Sequence, residues 1–148
     1  MTTNRKTARK KLATDLAGVL VGSGKPAQAV LNHRPFQITK TPLVFVTSAA
    51  TEDNSPNHAV ENVYFDYDIH TICLYSDEVA WHETNAEDAL DDIEQIVRAY
   101  CRANRTLSGY WSHLQYDGPT NAADVDFEVD GVNFRHEIIR VRVHVEGG

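Results

Sequence analysis

Asp66 and Asp68 are the first residues in this chain whose type and spacing could do chemistry. On an extended strand, residues two apart point to the same side, and a carboxylate pair does general acid–base work when sunk in a cleft. His70 continues the same face. No nucleophile or oxyanion donor accompanies them, so a solvated or channel-facing strand is the stronger reading. His58, His70, His82, His113, His136 and His144 are scattered and show no HxxxH, HExxH or Cys–His spacing, so no metal site is expected. Gly22-Ser23-Gly24-Lys25 looks like the end of a phosphate-binding loop. It follows a helical pattern instead of a strand, lacks the upstream glycine and has Pro26 after the lysine. Cys73 and Cys101 each sit in an apolar pattern and read as buried thiols. No catalytic residue and no cofactor is expected, and the chain reads as non-enzymatic.

The elements that must position these residues follow from periodicity. Residues 6–21 form an amphipathic helix through Ala8, Leu12, Leu16, Val19 and Leu20, ended by Gly22, Gly24 and Pro26. A short helical piece around 26–31 is a weaker possibility. Leu43 to Thr47 reads as a strand, and residues 49–59 as a polar loop. Val60 to Tyr75 carries the longest strand pattern. One face is Val63, Phe65, Tyr67, Ile69, Thr71, Cys73 and Tyr75; the other begins polar and ends in Ile72 and Leu74. This predicts a strand whose first half projects and whose second half is covered on both sides, with a hairpin or bulge near Asp66–Asp68 as the alternative. Residues 86–103 form the most strongly patterned helix, with Asn85 as its cap and Arg98, Arg102 and Arg105 toward its end. Val125, Phe127 and Val129 read as a strand, Asp130-Gly131 as a hairpin turn, and Val132 to Val145 as the partner strand. The expected fold is one α+β domain over residues 1–148, a mainly antiparallel sheet with helices packed on one face.

Charge is laid out unevenly. The 148 residues carry a formal net charge of -7, yet Arg5, Lys6, Arg9, Lys10 and Lys11 crowd the start. Between Lys40 and Arg98 there is no Lys or Arg but there are thirteen acids, Glu61, Asp66 and Asp68 among them. Such a surface repels free nucleic acid unless its cations gather on one face, and it favours head-to-side self-association. The basic start could form such a patch, with Arg140 and Arg142 extending it. No run of about 18 apolar residues marks a membrane span. Trp111, Tyr110, Trp81 and Tyr116 lie in connecting segments, where aromatics serve as core plugs or interface anchors.

The leading helix, the strand Leu43–Thr47, the long strand Val60–Tyr75, the helix after Asn85-Ala86-Glu87-Asp88 and the closing strand Ile138–Val145 together give a layout. It resembles that of the tail terminator, or tail completion, proteins of long-tailed bacteriophages. The resemblance covers most of the chain but carries no diagnostic motif and no catalytic residue. It implies a ring, usually a homohexamer, that caps the tail tube, stops its polymerisation and offers a docking surface to the head. The implied partners are the tail tube protein and the head–tail connector protein, in the neck of the virion after assembly in the host cytoplasm. DNA would pass through the ring without specific binding, past a lumen rimmed by Asp66, Asp68 and Glu61. Another head–tail joining, head-closure or tail tube protein is the nearest alternative. A small enzyme using Asp66, Asp68 or His70 and a DNA-binding regulator using the first helix are the other classes.

Overall fold

The computed structural model describes residues 3–38, 40–57, 60–75, 83–117, 121–122, 127–129 and 132–147. In chain order the elements are helix α1 (Arg5–Leu20), strands β1 (Ala29–Leu31), β2 (Leu43–Asp53) and β3 (Glu61–Tyr75), and helix α2 (Glu83–Ala103). Strands β4 (His113–Tyr116), β5 (Asn121–Ala122), β6 (Phe127–Val129) and β7 (Val132–Gly147) complete the chain. The main sheet runs β1-β2-β3-β7-β4, and the short β5 and β6 pair with β7. Among the named strands only β1 and β2 pair in parallel, and the other strand pairs described are antiparallel. The α+β architecture expected from the sequence is therefore present, as a mixed, mostly antiparallel sheet with two helices packed against it.

Parity along the strands decides which residues meet the helices. Tyr67 and Ile69 of β3, Val141 and Val143 of β7 and Val44 and Val46 of β2 form one buried cluster with Leu12 and Leu16 of α1 and Ile93 and Val97 of α2. Both helices thus cover the same face. Asn4 caps α1 by accepting the Thr7 N–H at 2.8 Å. Tyr67 anchors α1 by donating its hydroxyl to the Arg5 carbonyl at 2.6 Å, and Tyr100 of α2 donates to Asp15 at 2.6 Å. Buried partners of this kind satisfy polar groups that would otherwise be costly. On the opposite face, Leu43, Phe45, Ile72 and Phe134 form a smaller cluster with Ala29, Leu31, Ile38 and Leu74. The polar half of that face stays open.

Several sequence expectations are corrected. The segment around 26–31 is a short parallel strand, not a helical piece: Ala29 to Leu31 pair with Leu43 to Phe45. Strand β2 continues to Asp53 through residues read as a loop, because pairing with β3 outweighs their polar composition. The long strand does not project, since Val63 and Phe65 stay buried on the helix face. The irregularity sits in the partner strand instead, where Ala49 is an extra residue between the pairs Ser48–Tyr67 and Ala50–Asp66. Helix α2 starts at Glu83, ahead of the capping position assigned to Asn85. Val129 pairs with Val132 as the expected hairpin requires, while Asp130 and Gly131 themselves lie outside the described residues.

Trp111 is a further correction. It is 0 % exposed, and its indole N–H donates to the Asn104 carbonyl at 2.9 Å. It plugs the core beside the end of α2 and offers no surface to a neighbour. Trp111→Ala is expected to cost about 3–5 kcal/mol of stability in urea unfolding, as for other large buried side chains. A loss below about 1 kcal/mol, at the level of ordinary surface changes, would contradict the plug.

Candidate functional site

The open half of the sheet carries a cross-strand charge ladder. Because Asp66 pairs in register with Arg142 and Asp68 with Arg140, each carboxylate lies beside a guanidinium from β7. Both contacts are two-pronged: Arg142 Nε and Nη2 reach Asp66 at 2.8 and 3.2 Å, and Arg140 Nε and Nη2 reach Asp68 at 2.9 and 3.3 Å. This fork geometry is the strong form of the ion pair. The Ala49 bulge reverses the parity of β2, so Glu52 stands beside Tyr64 on the open face and comes within 3.6 Å of Arg142. Arg142 also lies over the Tyr64 ring at 5.0 Å, and Tyr64 stacks on His144 at 4.3 Å. The Asn62 side-chain oxygen lies 2.6 Å from His144 Nε2.

Asp66 and Asp68 are therefore not carboxylates without a counter-charge, which corrects the reading of the acidic stretch. The thirteen acids have no Lys or Arg between Lys40 and Arg98, but β7 supplies cations across the sheet to Glu52, Asp66 and Asp68. Glu87 is likewise paired with Arg135, and Glu94 with Arg98 at 3.5 Å. Glu61, at the outer end of β3, makes no ion pair among the described residues. Nor do Asp88, Asp91 and Asp92, which are exposed on α2.

The basic start is partly committed as well. Arg9 donates to the Asn32 carbonyl at 2.9 Å and to Ser48 at 3.2 Å, Arg5 reaches Thr51 at 3.4 Å, and Lys11 pairs with Asp15 at 3.1 Å. Lys6 and Lys10 remain exposed. Arg140 and Arg142 do not extend this patch, since they lie on the opposite face of the sheet. Tyr110 is half-buried under the Lys11 ammonium, and Tyr116 is half-buried with its hydroxyl 3.3 Å from Glu94. Trp81 lies outside the described residues.

The closest approach to a catalytic constellation is Thr47–His70–His136. His70 Nε2 is 3.0 Å from the Thr47 hydroxyl, and its Nδ1 is 2.9 Å from His136 Nε2. His70 is buried and stacked on Phe45 at 4.5 Å. Burial, then the charges of His136 and Arg34, push its pKa down to about 4, so the ring is neutral at pH 7. The triad ties β2, β3 and β7 together. Burial also pushes the Cys73 and Cys101 thiols up to about 12, which keeps them protonated.

Three features escaped the sequence reading. Phe36 is 99 % exposed, in a segment whose Arg34-Pro35-Phe36 order was the available signal. Arg98, Arg102, Arg105 and His113 line a cavity of about 390 Å³ between α2 and β4, recognisable in sequence only as a helix-end cation run. Glu137 is 6 % exposed on the helix face, with Oε1 lacking a hydrogen-bond partner among the described residues. No family model matches the chain, and no curated protein matches it in sequence.

Glu137 generates a pH prediction. Burial, then the charges of Glu94, Asp91 and Glu87, push its pKa up to about 7. The unfolded chain releases this proton near the ordinary glutamate value, so the folded state binds more protons between roughly pH 4.5 and 7. Stability from this group is full below that window and is lost as pH rises through it. The stability difference between Glu137→Gln and the parent should shift in favour of Gln by on the order of 2–3 kcal/mol from pH 4.5 to 7.5. A pH-independent difference in urea midpoints would contradict the assignment.

Proposed function

We propose that the chain assembles into a closed ring that caps the tail tube of a long-tailed bacteriophage, ends its polymerisation and presents a docking surface to the head. The element order supports the reading: a leading helix, long central strands, a strong second helix and a long closing strand. The observation that carries it is the division of charge on the subunit. Asp66 and Asp68 on the open sheet face are matched by Arg142 and Arg140 within the chain, whereas Asp88, Asp91 and Asp92 on α2 and Arg102 and Arg105 after them are left over at separate places. Unlike leftover patches on one subunit support heterologous contacts, and these close into a ring when the rotation permits.

The mechanism is geometric. One annular face of a ring, taken here as a hexamer, pairs with the last ring of the tube, and the other presents no further polymerising face. Native mass measurement and electron microscopy of the purified protein, with and without tail tube protein, test this. A ring with a central hole wide enough for duplex DNA is expected; a strict monomer at high concentration in the presence of the tube protein overturns the reading.

The ladder gives the lumen a role different from bare negative charge. Asp66 and Asp68 sheathe two guanidiniums that would otherwise bind passing phosphates. The double variant Asp66→Asn/Asp68→Asn is expected to retain duplex DNA with a salt-dependent affinity the parent lacks. Equal, negligible retention by both, with the fold intact by circular dichroism, removes the ladder from the lumen.

A further inference from the structure

The cavity at the end of α2 has a composition unlike the rest of the surface. Its walls are Arg98, Arg102 and Arg105 with His113 and Gln115, above Cys101, Leu114 and Tyr116. Most of the other described arginines are engaged: Arg9 with Asn32 and Ser48, Arg135 with Glu87, Arg140 with Asp68, Arg142 with Asp66. Arg102 and Arg105 are exposed, and their guanidiniums make no ion pair among the described residues. Their backbone is nevertheless held. The Arg105 carbonyl accepts the Leu114 N–H at 2.7 Å, Thr106 donates to the Ser112 carbonyl at 3.0 Å, and Trp111 N–H returns to the Leu107 carbonyl at 3.0 Å. A closed turn that fixes the origin of a guanidinium lowers the ordering cost of binding an anion there.

The complementary group is on the same chain. Asp88, Asp91 and Asp92 stand at i, i+3 and i+4 on α2, all exposed and none ion-paired among the described residues. The helix macrodipole accounts for acids early and arginines late in α2. It does not account for guanidiniums left unpaired around a cavity. Asp92 and Arg102 are ten residues apart on one rod, about 15 Å, so Asp92 does not reach the Arg102 guanidinium of its own chain.

We propose that this cavity is a carboxylate socket that receives the Asp88–Asp92 turn of α2 from a second copy of the chain. The inference rests on the ring reading and names the contact that would build it. The contact is head-to-tail, with arginines of one copy on aspartates of the next. A nucleic acid is the less suited occupant: the chain's net charge of -7 repels a polyanion, and three arginines around a cavity offer no extended track for a phosphate backbone. Bidentate pairing of guanidinium with carboxylate supplies register, and the exposed rim makes the association weaken with salt.

Two measurements on the full chain test the socket. In the first, a chain with Asp91→Cys is mixed with a chain with Arg105→Cys under mild oxidation, both carrying Cys101→Ala because Cys101 lines the cavity, while Cys73 is buried. The mixed disulfide is expected to exceed either homodimer several-fold. This readout detects a weak contact even where no ring forms, so it separates failure of the socket from failure of the ring. No excess of the mixed species overturns the socket. In the second, native mass is recorded for Arg102→Glu/Arg105→Glu, for Asp88→Lys/Asp91→Lys/Asp92→Lys, and for their equimolar mixture. Each variant alone is expected to lose association about tenfold or more, while the mixture regains it at one-to-one stoichiometry. A ring that survives Arg102→Glu/Arg105→Glu overturns the socket and leaves the ring standing. Parent-like association of that variant, with lost binding to a short DNA duplex that the parent binds, assigns the cavity to phosphate and also overturns it.

Discussion

The in-register pairing of β3 with β7 is the constraint on which the rest depends. It runs without a shift from Glu61 opposite Gly147 to Tyr75 opposite Asn133. Strand side chains alternate strictly, so this one register assigns every residue of both strands to a face. It sends Tyr67, Ile69, Val141 and Val143 beneath the helices and Asp66, Asp68, Arg140 and Arg142 to the open side. A slip of β7 by one residue would turn Arg140 and Arg142 toward the helices and expose Val141 and Val143. The charge ladder and the hydrophobic layer therefore select the same alignment from opposite faces.

This arrangement separates two uses of charge. Within the sheet, opposite charges meet across neighbouring strands and are spent on holding the fold. On the helices, the aspartates of α2 and the arginines at its end stay apart and stay available. Glu137 belongs to neither group: a carboxyl facing α2 from the sheet keeps its proton because burial and the surrounding acids both disfavour ionisation.

Local patterning made much of this legible. The stripe Ile93, Val97, Tyr100 placed α2 against the sheet, and the alternation through Val141, Val143, Val145 placed β7. What escaped depended on partners distant in sequence. Asp66 and Asp68 looked uncompensated because their cations, Arg142 and Arg140, arrive more than seventy residues later. Residues 49–53 looked like a loop because their polar side chains carry no hydrophobic alternation, yet their backbone pairs with β3. Trp111 lies between a helix end and an edge strand, where composition does not distinguish a core plug from an anchor. The arginine cavity takes shape only when β4 folds back along α2.

The extra residue at Ala49 has an architectural consequence. Inward of it, β2 is bound to the helix layer through Val44 and Val46; outward, sidedness has been reset. The outer arm of the β2–β3 ribbon is thereby uncoupled from the parity that governs the core. Mutational drift at Ala50 to Asp53 can recast the tip for a different mating surface while the hydrophobic interior keeps its pattern, which makes this arm the natural place for variants of the same scaffold to diverge.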